Sequence, residues 1–314
     1  MTGRRIGYLF PGQGAQYVGM GKDLFEKVPS ARHIFEKADA ILKYPLSRLC
    51  FEGPEADLTR TLHAQPAIFV TSIAALTVLH EKFPEIEPAF AAGLSLGEFT
   101  ALVAAGSFSF EEGLKLVKAR AQAMEKAAEK NPGTMASVLG LSQVDCEAVA
   151  KEAGCQVANL NAPDQIVLSG SVDSIEKACL LAEAKGAKRA IRLKVGGAFH
   201  SALMMDAKED LEKAIRHTQV NAPRCAFIPN AAAVKTSNPQ DIRELLARQL
   251  VSPVRWIETM SQAAKEEISI FLEVGPGKVL KGLARKCAPS LVVEPCGTFE
   301  DLQKLEQVLD GVKS

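Results

Sequence analysis

The chain has 314 residues, 47% hydrophobic and 24% charged, with 37 basic residues balancing 37 acidic ones. This is the composition of a globular protein long enough for one large domain with an insert, or for two domains. A formal net charge of zero excludes a chain that as a whole binds nucleic acid or another polyanion.

Seven scattered cysteines with no CxxC argue against a zinc site or a disulfide framework and suit a reducing compartment. No apolar run reaches the roughly 18 residues of a membrane helix. The N-terminal MTGRRIGYLFPGQG lacks the apolar stretch of a signal peptide. A cytoplasmic protein is expected, or an organellar one where a transit peptide has been removed.

Ile6–Phe10 reads as a buried strand ended by Pro11-Gly12. Residues 20–43 read as an amphipathic helix, with Leu24, Phe25, Ile34, Phe35, Ala38 and Leu42 at roughly helical spacing. Residues 65–80 are apolar, and their length favours a buried helix over a strand. A short strand follows at 88–92, then a helix over 98–105 that runs to Gly106. A long helix over 110–130 places Leu114, Val117, Ala121 and Met124 on one face.

Residues 134–195 carry a different rhythm. A strand at 134–141 leads to a helix capped by Ser142 and stopped by Gly154. Two strands follow, joined by the loop NAPD, then a helix over 172–187 with Asp173 and Glu176 spaced as a capping box. A last strand covers 188–195. The order β-α-β-β-α-β is that of a ferredoxin-like unit. It is expected as a subdomain inserted into a larger α/β domain of residues 1–130 and 199–314. That domain resumes with a helix over 200–217, a strand over 225–231, helices over 238–250 and 254–267, a strand over 268–274 and a helix over 278–286. Strands alternating with helices imply a mostly parallel sheet.

The candidate chemistry centres on GLSLG at residues 93–97. GxSxG alone is weak, since about one chain in ten of this length contains it by chance. Here a short apolar strand precedes it and a helix follows, the setting of a nucleophile elbow. A plain βα turn remains the other reading of these residues. Ser95 needs a base. Of the five histidines, His33 and His80 fall in predicted helices, His63 in a loop and His217 near a helix end. His200 follows Gly196-Gly197-Ala198-Phe199 at a strand end and opens a helix, a junction that suits a catalytic residue as well as a plain N-terminal helix residue. No acid of obvious triad character lies between Ser95 and His200, although pattern alone leaves Asp164, Asp173 and others open. Arg120 shares the face of Val117 and Met124, which is otherwise apolar. A buried guanidinium calls for a carboxylate. That is either a structural salt bridge with Glu98 or Glu125, or a substrate carboxylate in the bidentate fork.

LFPGQGAQ (9–16), GLSLGEFTAL (93–102), KARAQAM (118–124), NAPDQIVLSG (161–170), GAFHSALM (197–204), RQLVSPVRW (248–256) and EVGPGKVLKGL (273–283) occur in this order along the chain. Together they resemble the malonyl-CoA:acyl carrier protein transacylases, the acyltransferase family of fatty acid and polyketide synthesis. The resemblance implies an α/β-hydrolase-like core with a ferredoxin-like insert. It implies Ser95 as nucleophile, His200 as general base and then acid, and Arg120 as the binder of the malonyl carboxylate. It implies an oxyanion hole from the N–H groups of Gln13 and Leu96, and the main-chain carbonyl of Gln249 in place of a triad acid. No cofactor or metal is implied. The expected partners are malonyl-CoA and holo acyl carrier protein, with no nucleic acid or membrane, for a protein expected as a monomer.

Phe199 beside His200 is the residue of malonyl-selective members, whereas methylmalonyl-selective ones tend to have a smaller residue. Leu94 replaces the histidine that many members carry before the serine, so no role of that histidine carries over. Asn161 is a weaker candidate for the acyl pocket. EVGPGKVL reads equally as a phosphate cradle at a helix N-terminus or as a tight turn. Lys185, Lys188, Arg189, Arg192 and Lys194 offer a docking patch for an acidic carrier protein, although a solvated face is the simpler account. A serine esterase or thioesterase and a silent carrier-binding module are the competing functions. A fused acyltransferase domain is a third alternative, against which the chain is expected to begin and end where free-standing members do.

Overall fold

The computed structural model describes residues 5–311, with side chains described through residue 308. The outermost residues of the expected larger domain, 1–4 and 312–314, lie outside the described residues. Two compact units form. One comprises Met1–Lys118, Asn221–Phe227 and Ala263–Ser314; the other comprises Ala119–Val220 and Ile228–Gln262. Among the described residues the strands are β1 (Ile6–Phe10), β2 (Pro88–Gly93), β3 (Thr134–Leu139), β4 (Gln156–Ala162), β5 (Gln165–Gly170), β6 (Arg189–Arg192), β7 (Ala226–Phe227), β8 (Ile270–Val274) and β9 (Val293–Cys296).

The first unit holds a parallel sheet of order β7-β2-β1-β8-β9. β1 and β8 are buried along their whole length, as strands covered on both faces must be. The helix Thr61–Lys82 is apolar all round. By length and composition it would cross a membrane, contrary to the expectation that no such run exists. Yet 83% of its most apolar window is buried inside the protein, which marks a core helix. His63 lies in this helix, not in a loop. The expected helix over 20–43 is two, Lys22–Lys27 and Pro29–Leu42. Pro29 has no N–H to continue a helix and fits its first turn instead, while Val28 is extended.

β1 connects to β2 on one side of it, and β8 connects to β9 on the other. The carboxyl ends of β1 and β8 therefore flank the switch point at which open α/β sheets bind ligands. PGQG follows β1 and GPGK follows β8. Glu273, fully buried on β8, accepts the N–H groups of Leu280 and Lys281, both at 2.8 Å. These belong to the first turn of the helix Val279–Cys287. An internal carboxylate thus takes the place of the phosphate, and EVGPGK is the tight turn. Burial raises the Glu273 pKa, opposed by these backbone donors. Glu273→Gln presents one acceptor oxygen where two donors converge. A loss of about 1–3 kcal/mol is expected, read as a lower urea midpoint at unchanged m-value.

The second unit holds an antiparallel sheet of order β4-β5-β3-β6. With the helices Gln143–Ala153 and Val172–Ala184 it makes the ferredoxin-like arrangement. Val138, Cys146, Val149, Ile166, Leu168 and Ile175 fill its core. Ser142 caps the first helix and Gly154 ends it in the left-handed conformation. The second helix departs from the expected capping box. Its cap is Ser171, which accepts the Ser174 N–H at 3.2 Å. The helix starts directly after β5, so Asp173 already sits in its first turn. Residue 254 lies beside β4, bonded to Ala158 and Leu160 at 2.8 and 2.9 Å. The expected helix over 254–267 is therefore confined to Trp256–Ala263. The helix expected from 200 opens as a 3-10 turn, Ala202–Met204, before Met205–Arg216.

Candidate active site

In the first unit β2 ends at Gly93 and the helix Gly97–Ala104 follows the turn. Ser95, half-buried, sits in that turn with φ 52. Non-glycine residues rarely occupy this left-handed region, and such strain gathers at functional sites. The flanking glycines are forced by close approach. A Cβ on Gly93 would lie 1.9 Å from the Gly97 carbonyl carbon, and one on Gly97 would lie 2.1 Å from the Phe10 carbonyl oxygen. Within the turn, Leu94 N–H donates to Phe10 O at 3.0 Å, Gly97 N–H to Leu94 O at 2.9 Å and Glu98 N–H to Ser95 O at 3.2 Å. The Leu96 N–H is outside this set and stands at the positive end of the helix. The loop after β1 packs on the elbow, since a Cβ on Gly12 would lie 2.3 Å from Leu94 O. Gln13 is on this loop, its amide nitrogen 3.4 Å from Thr61 Oγ1.

In the second unit His200, Gln249 and Arg120 come together. His200 is 4% exposed, Arg120 1% and Gln249 0%. His200 Nδ1 lies 2.9 Å from the Gln249 carbonyl oxygen. A carbonyl only accepts, so Nδ1 carries the proton and Nε2 keeps its lone pair. Arg120 donates to Gln249 Oε1 at 2.9 Å. One residue thus holds the imidazole with its main chain and the guanidinium with its side chain. His200 also has a left-handed backbone, φ 56. An open cleft of about 320 Å³ is lined by His200, Gln156, Val157, Val251 and Pro253, among others.

Burial, and then the charge of Arg120, lower the His200 pKa to about 4 from 6.5. The ring is therefore neutral, and able to take a proton, throughout the physiological range. For a reaction in which this ring is the base, the expected acid limb lies near pH 4, with no loss of rate between pH 8 and pH 5.5. Initial rates across this range check it; a limb near pH 6.5 would mean a solvated ring.

The other histidines have structural settings. His33 is exposed on its helix. His63 Nδ1 lies 2.9 Å from Asp57 O, and His80 Nε2 lies 3.2 Å from Tyr8 Oη. His217 ends the helix Met205–Arg216. Phe199 is buried beside His200, and Asn161 lies in β4. Lys185, Lys188, Arg189, Arg192 and Lys194 are all exposed, with Arg192 3.7 Å from Glu176. Ser201 and Gln156 were not singled out by any reading of function, yet both bond the turn that bears His200. Among the described residues no group of three His, Cys, Asp or Glu side chains is arranged to hold a metal.

The acyl transferase domain family matches residues 7–298. The chain is similar to the malonyl CoA-acyl carrier protein transacylase of Bacillus subtilis, 45% identical over 90% of each chain. It is also similar to the solved acyl-carrier-protein-S-malonyltransferase of Bartonella henselae. That structure is 38% identical, with a TM-score of 0.93, covering 98% of this chain and 99% of the other. A third neighbour is a malonyl-transacylase solved in complex with its type II polyketide acyl-carrier protein. It is 33% identical, with a TM-score of 0.92, covering 96% of this chain and 98% of that one. With a family model spanning nearly its whole length and relatives of this identity covering nine-tenths or more of it, the chain belongs to the acyl transferase domain family.

Proposed function

We propose that this acyltransferase moves the malonyl group from malonyl-CoA to the phosphopantetheine thiol of acyl carrier protein, in supply of fatty acid synthesis. Ser95 Oγ attacks the thioester carbon while His200 Nε2 takes its proton. The oxyanion is held by the N–H groups of Gln13 and Leu96. The tetrahedral intermediate expels coenzyme A as the thiolate, which receives the proton from His200, and malonyl-serine remains. The carrier thiol then gives its proton to His200 and attacks the ester, and Ser95 recovers its proton as the transfer ends. Arg120 binds the malonyl carboxylate in its planar fork. Phe199 favours malonyl over its methyl-branched analogue, and Asn161 lines the acyl pocket. No cofactor takes part.

The observation that carries this reading is the buried line Arg120–Gln249–His200. It joins a fixed cation, suited to a dicarboxylic acyl group, to a neutral imidazole of fixed tautomer. We further propose a monomeric cytoplasmic enzyme, its 134–195 segment an insert in a catalytic core of residues 1–130 and 199–314.

Initial rates with malonyl-CoA and holo acyl carrier protein both varied test it. Parallel double-reciprocal lines are expected, with coenzyme A release stopping after one turnover when the carrier is absent. Continuous release without carrier would instead make the protein a thioesterase, and carrier binding without any release would make it a silent module.

A further inference from the structure

The backbone of His200 is held where a residue with a Cβ does not settle by itself. Its φ of 56 places it in the left-handed region, where the Cβ of a non-glycine residue crowds the backbone. Gly196 and Gly197 precede it, so the chain on that side supplies little stiffness of its own. Something else must hold the turn.

Two side chains do. Ser201, 1% exposed, donates its hydroxyl to the Ala198 carbonyl at 2.6 Å and accepts the Leu203 N–H at 3.3 Å. One hydroxyl thus ties the residue two before His200 to the residue three after it. The Ala202 N–H donates to Gln156 Oε1 at 2.7 Å. Gln156 opens β4 and is in register with Ser169 of β5, so the antiparallel sheet anchors the turn from outside. The Gln249 carbonyl then fixes the ring itself. Gln156 and His200 line one cleft, so loosening the turn exposes the imidazole to that cleft's solvent.

We infer that Ser201 and Gln156 are positioning residues for His200, a clamp that fixes its left-handed backbone and keeps its ring dehydrated. Both bond the backbone of the turn rather than the imidazole. Ser201 acts within the turn, and Gln156 acts from the sheet. This rests on His200 being the general base.

The test uses Ser201→Ala, Gln156→Leu and Gln156→Glu in the full-length chain, with His200→Ala alongside. Gln156 is exposed, so its variants fold even where Ser201→Ala does not. Ser201→Ala is expected to lower kcat about 10-fold or more and Gln156→Leu about 3- to 10-fold, each with KM for malonyl-CoA within twofold. In both, the acid limb and the His200 NMR titration rise from about pH 4 toward the ordinary 6.5, because a mobile ring regains water. Gln156→Glu keeps an acceptor oxygen for the Ala202 N–H and is expected to hold kcat within twofold.

Wild-type kcat and an unmoved His200 titration in Gln156→Leu would overturn the inference, as would a Gln156→Glu variant as slow as Gln156→Leu. If His200→Ala itself keeps transfer, the base assignment fails instead. An inactive His200→Ala beside an unaffected Gln156→Leu removes only the clamp.

Discussion

Ser95→Ala is expected to lose malonyl transfer by at least about 10⁴-fold, because the variant has no atom to carry the acyl group between the two thiols. Binding and oxyanion stabilisation survive, so a small residue of catalysis over water remains, but no covalent enzyme forms. Stability moves the other way at this position. The turn imposes φ 52 on residue 95, a conformation glycine adopts without steric cost. Ser95→Gly is therefore expected to be as inactive as Ser95→Ala and to melt at the same temperature or higher. Coenzyme A release and a thermal melt on the two variants check both halves. Transfer above about 1% of wild type in Ser95→Ala would mean another nucleophile, and a strongly destabilised Ser95→Gly would mean that the serine is there to hold the turn.

Arg120→Ala separates substrates. A malonyl group carries a carboxylate beyond its thioester, and an acetyl group does not. Losing a buried charge-assisted pair costs roughly 3–5 kcal/mol, so malonyl transfer should fall by about 10² to 10⁴ in kcat/KM. Acetyl transfer should fall by less than about 10-fold. A second effect comes with the first. The Arg120 charge helps hold the His200 pKa at about 4, so its removal raises that pKa, with burial still opposing the rise. The acid limb of the variant shifts upward but stays below 6.5, and the variant loses relatively more rate at pH 5 than at pH 8. Equal losses for the two acyl groups would make Arg120 a structural support for Gln249, whose Oε1 it bonds.

Much of this was legible in residue order where a long period or a forced glycine exposed it. The helix Thr61–Lys82 follows from the length of its apolar run, and the β-α-β-β-α-β segment from apolar spacing that only one local structure can bury. Gly93 and Gly97 announced the elbow because no side chain fits there. Short elements carried no such period. The helices Leu46–Glu52 and Glu55–Thr59 are one or two turns long. β9 reads VEPC, with a proline and a glutamate inside an edge strand. Ser171 displaced Asp173 as a cap because the helix begins where β5 releases the chain, a tertiary boundary invisible to local pattern. The site shows the same division. His200 stood out by its place after a strand and a glycine pair. Gln249 came only through the resemblance, because its main-chain carbonyl is the group that meets the ring, and every residue has a carbonyl. Gln156 reaches Ala202 across 46 residues, a contact no spacing rule encodes.

The most direct measurement is intact-protein mass spectrometry after brief mixing with malonyl-CoA. The wild-type chain is expected to gain one malonyl group on the peptide that contains Ser95 and to lose it on addition of holo acyl carrier protein, with the group recovered on the carrier thiol. Ser95→Ala is expected to gain nothing. A wild-type chain that never gains the group while coenzyme A is released, or that sheds it as free malonate whether or not the carrier is present, would contradict the transfer.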